Sequence, residues 1–332
     1  NLSQYNAIHD IVLAGDATFG LIGGASSRFD VRSTGTFDMG GHTLTVKGPG
    51  LFGITGVSVD SPGHIDIQSG FVRTESTAKL NGDASNTMTL RSGAQYQIYA
   101  LATPIDWALT MEHNATFSAV SGNSETQSIW AGPADLQGTA LFTSSGNFAA
   151  TLAGEVSGAT LWKSGDGTLY LTGTNNTYTG GTVLSNGTLR ISHPGGLPGY
   201  ATPGSFAICN RSDVTNALVL YAGDGTNGWT GPQLDTFLTT HPFNSSRSVF
   251  TVNTSATNVD YALTLNEAKS FRKDGTNGIT LRAPVAIGGS LNAYDAGTFL
   301  LAATPNTAGG TVNMYGSTVF DLAEGVSLTS AN

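Results

Sequence analysis

The 332-residue chain has a single cysteine, Cys209, and only 11% of its residues are charged. One cysteine excludes a disulfide framework and a thiolate metal cluster. No nucleophile signature surrounds it, so it reads as a small core residue. The 14 lysines and arginines never cluster, which excludes the basic stripe that a phosphate backbone requires, so nucleic acid is not expected as a partner. The net charge of −9 is also spread without an acidic block. No apolar run approaches the ~20 residues of a membrane helix, and no basic-then-apolar leader opens the chain. Strong helix formers are scarce. No His-x-x-x-His pair, Gly-x-Ser-x-Gly elbow or Asp-x-Asp-x-Asp-Gly loop occurs, so no metal or cofactor is expected.

What is present is glycine, threonine, serine, asparagine and short apolar alternation. The 44 glycines follow no Gly-X-Y period, so collagen is excluded. A surface dressed in Thr, Ser and Asn suits strands and turns better than helices. "HTLTV" (His42 to Val46), "HIDI" (His64 to Ile67), "TMTL" (Thr87 to Leu90), "QYQIY" (Gln95 to Tyr99), "TLYL" (Thr168 to Leu171) and "TLRI" (Thr188 to Ile191) all alternate with period two. Period two places apolar side chains on one face, the mark of half-buried strands. Gly-Gly, Asn-Gly and Asp-Gly pairs between them supply tight turns.

The strands recur in related units. Lys163 to Leu171 aligns without gaps with Lys273 to Leu281, and a looser copy stands near 37–54. Each unit is too small to bury its own apolar face, so neighbours must stack on one core. With no helix between strands, stacking predicts a coil of parallel strands. At ~22 residues per coil and ~4.8 Å between coils it would extend roughly 70 Å. One stretch differs. "TGPQLDTFLTTHPF" places Leu234, Phe237 and Leu238 at helical spacing, with Thr230 as cap, Pro232 in the first turn and Pro242 as stop. This predicts one short helix near 231–241 packed beside the strands.

The stretch "KSGDGTLYLTGTNNTYTGGTVLSNGTLRI", residues 163–191, carries Lys163, Gly165, Gly167, Thr168, Leu169, Asn176, Tyr178, Gly180, Gly181, Thr182, Gly187, Thr188 and Leu189 in order. It resembles the autotransporter-associated β-strand repeat, also called the passenger-associated transport repeat. Looser variants cover 37–54 and 270–281. The resemblance implies a parallel β-helix in a large secreted or surface-displayed bacterial protein, where such repeats extend a passenger stalk. Right-handed coiling follows from this resemblance and from the general preference of parallel crossovers. On physical grounds the five motif glycines turn corners of the coil, the neighbouring Thr and Asn bond loose backbone groups, and Tyr178 packs at a corner.

Other side chains are weighed for chemistry. Asp16, Asp38 and Asp60 recur every 22 residues, with Asp83 one further. Stacked along one edge, and joined by Asp66 with Arg32 or Arg73, they would make an acidic row for metal or acid–base work. As Gly-Asp and Asp-Ser-Pro residues they read first as turn caps. "DGTNG" at Asp224 to Gly228 and Asp274 to Gly278 reads as turn in both copies. Tyr96, Tyr99, Trp107, Trp130, Trp162 and Trp229 read by default as core or corner. Trp162 and Trp229 are the candidate interface residues. Asn114, Asn186 and Asn244 head Asn-x-Ser/Thr sequons that the composition explains by chance.

The expectation is therefore an all-β, right-handed parallel β-helix (β-solenoid), residues 1–332 forming one continuous segment of a longer chain, because both ends start and stop within strand pattern. Its expected role is an extracellular scaffold without catalysis: a surface stalk, adhesin passenger or fibre subunit. Self-association, or continuation with neighbouring β-helix segments, and a glycan or cell-surface ligand are the expected partnerships. A polysaccharide-active enzyme and a glycan-binding adhesin are the rival readings.

Overall fold

The computed structural model describes residues 5–32, 35–209, 213, 215–243, 247–266 and 269–330. The protein is all-β, a parallel β-solenoid with one short helix, and comprises two compact units, Asn1–Gly180 and Gly181–Asn332.

In the first unit the alternating runs are strands. His64–Ile67, Thr87–Leu90, Gln95–Tyr99 and Thr168–Leu171 have the bounds read from the sequence, and "HTLTV" shifts by one residue to Thr43–Lys47. Ile65 and Ile67 are buried while His64 and Asp66 between them are partly exposed, as period two requires. Three parallel faces result. One stacks Arg28–Arg32, Leu51–Thr55, Phe71–Glu75 and Gln95–Tyr99. The second stacks Thr43–Lys47, His64–Ile67, Thr87–Leu90 and Ala108–Glu112. The third stacks Thr36–Asp38, Ser58–Asp60 and Lys79–Leu80. The first two faces merge in the long strand Ala134–Ser144, whose start pairs with Ala108–Glu112 and whose end pairs with Thr116–Ser121.

Coil length varies about the expected value, from 19 residues between Ala149 and Thr168 to 27 between Ala17 and Leu44. The enclosed core is aromatic. Phe29 and Phe52 stack with Phe19 between them, and Tyr96, Phe117 and Phe142 form a column beside Trp130.

In the second unit one face stacks Asn216–Tyr221, Ser248–Asn253, Ser270–Asp274, Leu291–Ala293 and Val312–Met314. A second stacks Val259–Tyr261, Ile279–Leu281, Thr298–Leu301 and Val319–Leu322. Phe250 and Phe271 of the first face and Phe299 and Phe320 of the second make a ladder through the unit, with centroids 6.1, 6.0 and 5.7 Å apart. Among the described residues the single α-helix is Gly231–Thr240. Thr230 caps it in a reciprocal box with Gln233, Pro232 sits in the first turn, and Leu234, Phe237 and Leu238 are buried. It lengthens its coil to 32 residues between Asn216 and Ser248. A 3-10 turn at Pro194–Gly196, capped by His193 Nδ1 accepting from Gly195 N–H, was not anticipated.

Candidate functional site

The strand Val156–Ser164 carries the start of the repeat, and its alternation turns Leu161 and Lys163 inward and Trp162 outward. Lys163 is fully buried, and its Nζ donates to the carbonyls of Ser164 and Gly165 at 2.7 Å each. The ammonium thus bonds the turn that follows its own strand, where hydrogen-bond capacity would otherwise be left without water. That turn needs a glycine. Gly165 has φ +69°, and a Cβ on it would lie 2.2 Å from the Ser144 carbonyl oxygen of the preceding coil. Burial pushes the Lys163 ammonium down to about 7, with Asp166 opposing; loss of water disfavours the charged form.

The copy at 270–281 repeats this device. Lys273 is fully buried and donates to the carbonyls of Gly275 and Ala296, and burial lowers its pKa against Asp295 and Asp274. The copy near 37–54 does not. Lys47 is exposed, because the preceding Leu44 and Val46 take the inward positions of Thr43–Lys47 and leave Lys47 on the outer face.

The other motif residues also face the protein's own backbone. Leu169 lies in the core, Asn176 Oδ1 accepts from the Val156 N–H at 2.8 Å across one coil, and Tyr178 is buried. Thr182 and Leu189 are buried in the second unit, whereas Thr168 and Thr188 occupy the partly exposed face of their strands. The five glycines divide. Gly165, Gly181 and Gly187 have positive φ, and Gly187 opens the strand Gly187–Ile191. Gly167 and Gly180 have no positive φ; Gly180 is needed for close approach, since a Cβ there would sit 2.3 Å from Thr160 Oγ1 and 2.8 Å from the Ala159 carbonyl carbon.

Of the candidate interface residues, Trp162 lies partly exposed on the outer face. Trp229 requires a correction. It is fully buried, donates Nε1–H to the Ile191 carbonyl at 3.2 Å, and packs edge-on against Tyr200 and Phe237. The turn before it folds back so that Trp229 bridges Ala222, which places the indole beneath the helix that begins two residues later. Tyr96, Trp107 and Trp130 are core residues, and Tyr99 is 37% exposed. Cys209 is half-buried, not the core residue expected.

The acidic row is reduced to a pair. Asp38 and Asp60 are register partners, but Val12 lies on the other side of Asp38, and Asn81 donates to Asp60 at 3.3 Å from the next coil. Coils of 26 and 21 residues on either side of the 22-residue one throw Asp16 and Asp83 out of line. Asp38 and Asp83 accept from the N–H groups of Gly40 and Ser85 two residues on, the turn-capping role, whereas Asp16 accepts from the Thr43 N–H on the next coil. Asp66 lies on a different face and pairs with Arg91 at 2.7 Å, not with Arg32 or Arg73.

The two "DGTNG" stretches differ. Asp224 caps its turn through the N–H groups of Thr226 and Asn227, while Asp274 is ion-paired with Arg272. Asn114 lies in a turn with φ +64°, Asn186 is partly buried, and Asn244 falls outside the described residues. Among the described residues no group of three His, Cys, Asp or Glu side chains is placed to hold a metal, and no helix is long and apolar enough to cross a membrane.

One charged cluster escaped the sequence reading. Asp30 is fully buried between Arg28 and Arg32, and Arg28 also reaches Glu75 at 2.7 Å, two coils away. It can do so because Gly53, on the intervening coil, presents no side chain. The alternation Arg28-Phe29-Asp30-Val31-Arg32 was the available signal, but the partner on the third coil was not readable without the register.

These contacts define a β-solenoid repeat protein whose polar side chains serve its own turns and coil-to-coil contacts. Residues 161–191 match the passenger-associated-transport-repeat model. The chain carries that repeat, and the repeat within a parallel solenoid fits an autotransporter passenger scaffold. No curated protein matches the chain.

Proposed function

We propose that the chain is a structural segment of a secreted or surface-displayed bacterial passenger, a stiff scaffold that works without catalysis. The observation that carries this reading is the repeat at 161–191, whose most distinctive side chains, Lys163, Asn176 and Tyr178, are buried against backbone and core. Residues used in this way hold a shape. Parallel pairing from coil to coil makes each strand's hydrogen bonds depend on its neighbours, the source of stiffness in solenoids. Association with further β-helix segments, and a glycan or cell-surface ligand, are part of the proposal.

The polysaccharide-active alternative has less support, because Asp38 and Asp60 stand on one face and the Asp66–Arg91 pair on another. The test is protease shaving of intact cells that carry the native protein. A scaffold is cleaved on whole cells or recovered from the medium. Protection until lysis overturns the localisation, and turnover of any member of a polysaccharide panel by the purified protein overturns the non-catalytic reading.

A further inference from the structure

We propose that the open edge of the strand Phe206–Ile208, with the cavity beside it, receives the segment around Ile22 of a second copy of this chain. The proposal rests on the scaffold reading for its biological setting only.

The edge follows from the register. Phe206–Ile208 pairs with Thr182–Leu184 and, among the described residues, with no other strand. Thr182 N–H donates to the Ser205 carbonyl and Cys209 N–H to the Leu184 carbonyl, at 2.8 and 3.0 Å. Residues 205, 207 and 209 therefore face that partner, and alternation points the N–H and C=O groups of Phe206 and Ile208 the other way. The following coil carries the helix Gly231–Thr240 and, among its described residues, supplies no strand to meet them. An open strand edge is a template for a further strand.

Beside the edge lies a cavity of about 300 Å³ lined by Phe206, Ala207, Ile208, Thr240, His241 and Phe243. Among the described residues no charged side chain lines it. His241 Nε2 is engaged with the Tyr200 carbonyl at 2.9 Å. Backbone groups on one wall and uncharged, partly aromatic walls elsewhere select an uncharged extended peptide that brings an apolar side chain.

The chain itself displays such a peptide. Residues 17–27, "ATFGLIGGASS", contain no charge, and Ile22 within them is 100% exposed, more than any other large apolar residue described. Its N–H and C=O carry no hydrogen bond in the structure, and Gly23 and Gly24 follow without side chains to obstruct approach. Each surface lacks what the other offers. The two are different patches, so each contact is heterologous, joining the Ile22 segment of one copy to the open edge of another.

The test uses the full chain with Cys209→Ser. Ile22→Cys in one tagged copy and Ala207→Cys in another are mixed and mildly oxidised. Ala207 is exposed at the cavity mouth, so neither substitution disturbs the core. The mixed disulfide is expected at about tenfold or more above that formed with exposed Ser317→Cys in place of Ile22→Cys. Sedimentation of the unaltered chain should show self-association that grows with concentration, and Ile22→Ser should weaken it about tenfold. Equal cross-linking in the control, association untouched by Ile22→Ser, or a chain that stays monomeric at every concentration overturns the proposal. A chain that cross-links yet stays protected inside cells overturns the scaffold reading and supports this one.

Discussion

Replacing Lys163 by methionine separates two accounts of a buried ammonium in this repeat. Methionine keeps most of the stem that packs in the core but removes both hydrogen bonds, to the carbonyls of Ser164 and Gly165. At one pH the outcome is a balance. Bonds from a charged donor contribute about 1.5–3 kcal/mol each, while deleting a desolvated charge gives back an amount of similar size. The pH dependence is not a balance. In the fold, burial holds Lys163 at about 7, below the ordinary 10.5. Between those values the unfolded chain binds more protons than the folded one, so stability rises with pH, by at most about 1.4 kcal/mol per unit.

The wild type should therefore gain about 2 kcal/mol over Lys163→Met between pH 7 and pH 9. Lys273 and every other titrating group cancel in the comparison. Urea unfolding followed by tryptophan fluorescence at pH 6, 7, 8 and 9 measures it. Parallel profiles for the two proteins would refute the reasoning, and would mean that the two carbonyls hold the ammonium charged despite its burial.

Three further outcomes follow from the same geometry. Trp229→Ala should cost about 3–5 kcal/mol, since it empties a core site and deletes a hydrogen bond, while Trp162→Ala on the outer face should cost about 1 kcal/mol or less; paired denaturation curves decide. Gly165→Ala should cost about 3 kcal/mol or more, because strain at positive φ adds to the contact with Ser144, whereas Gly146→Ala, at φ +57° with nothing within 4 Å, should cost about 1 kcal/mol. Thermal melts of both variants would expose an error if the two were alike. Asp60→Asn should leave stability within about 0.5 kcal/mol and remove no calcium binding measurable by calorimetry; a lost calcium signal would restore the acidic-row reading.

Strands and helix were legible because each follows from local rules. Period-two alternation places "HIDI" and "TMTL" correctly whatever surrounds them, and Thr230, Pro232 and Pro242 bound the helix by cap and stop chemistry alone. The repeat was legible too, since its glycines and its lysine stand at fixed spacing. The site was not. An even spacing of 22 suggested a row from Asp16 to Asp83, yet coil length varies by several residues, and a few residues of slip remove a side chain from its column. Lys47 and Lys163 share a sequence context, but the parity of the strand turns one out and the other in.

What the sequence determined by itself is therefore the class: a cysteine-poor, charge-poor chain of short alternating strands and glycine turns that must stack to bury its apolar faces. Only the tertiary structure decided which residues meet. It joined Arg28 to Glu75 over Gly53, sank Trp229 beneath a helix and left the edge of Phe206–Ile208 open. These contacts depend on register between coils, and register is the sum of every turn length along the way, a quantity that no single stretch of sequence contains.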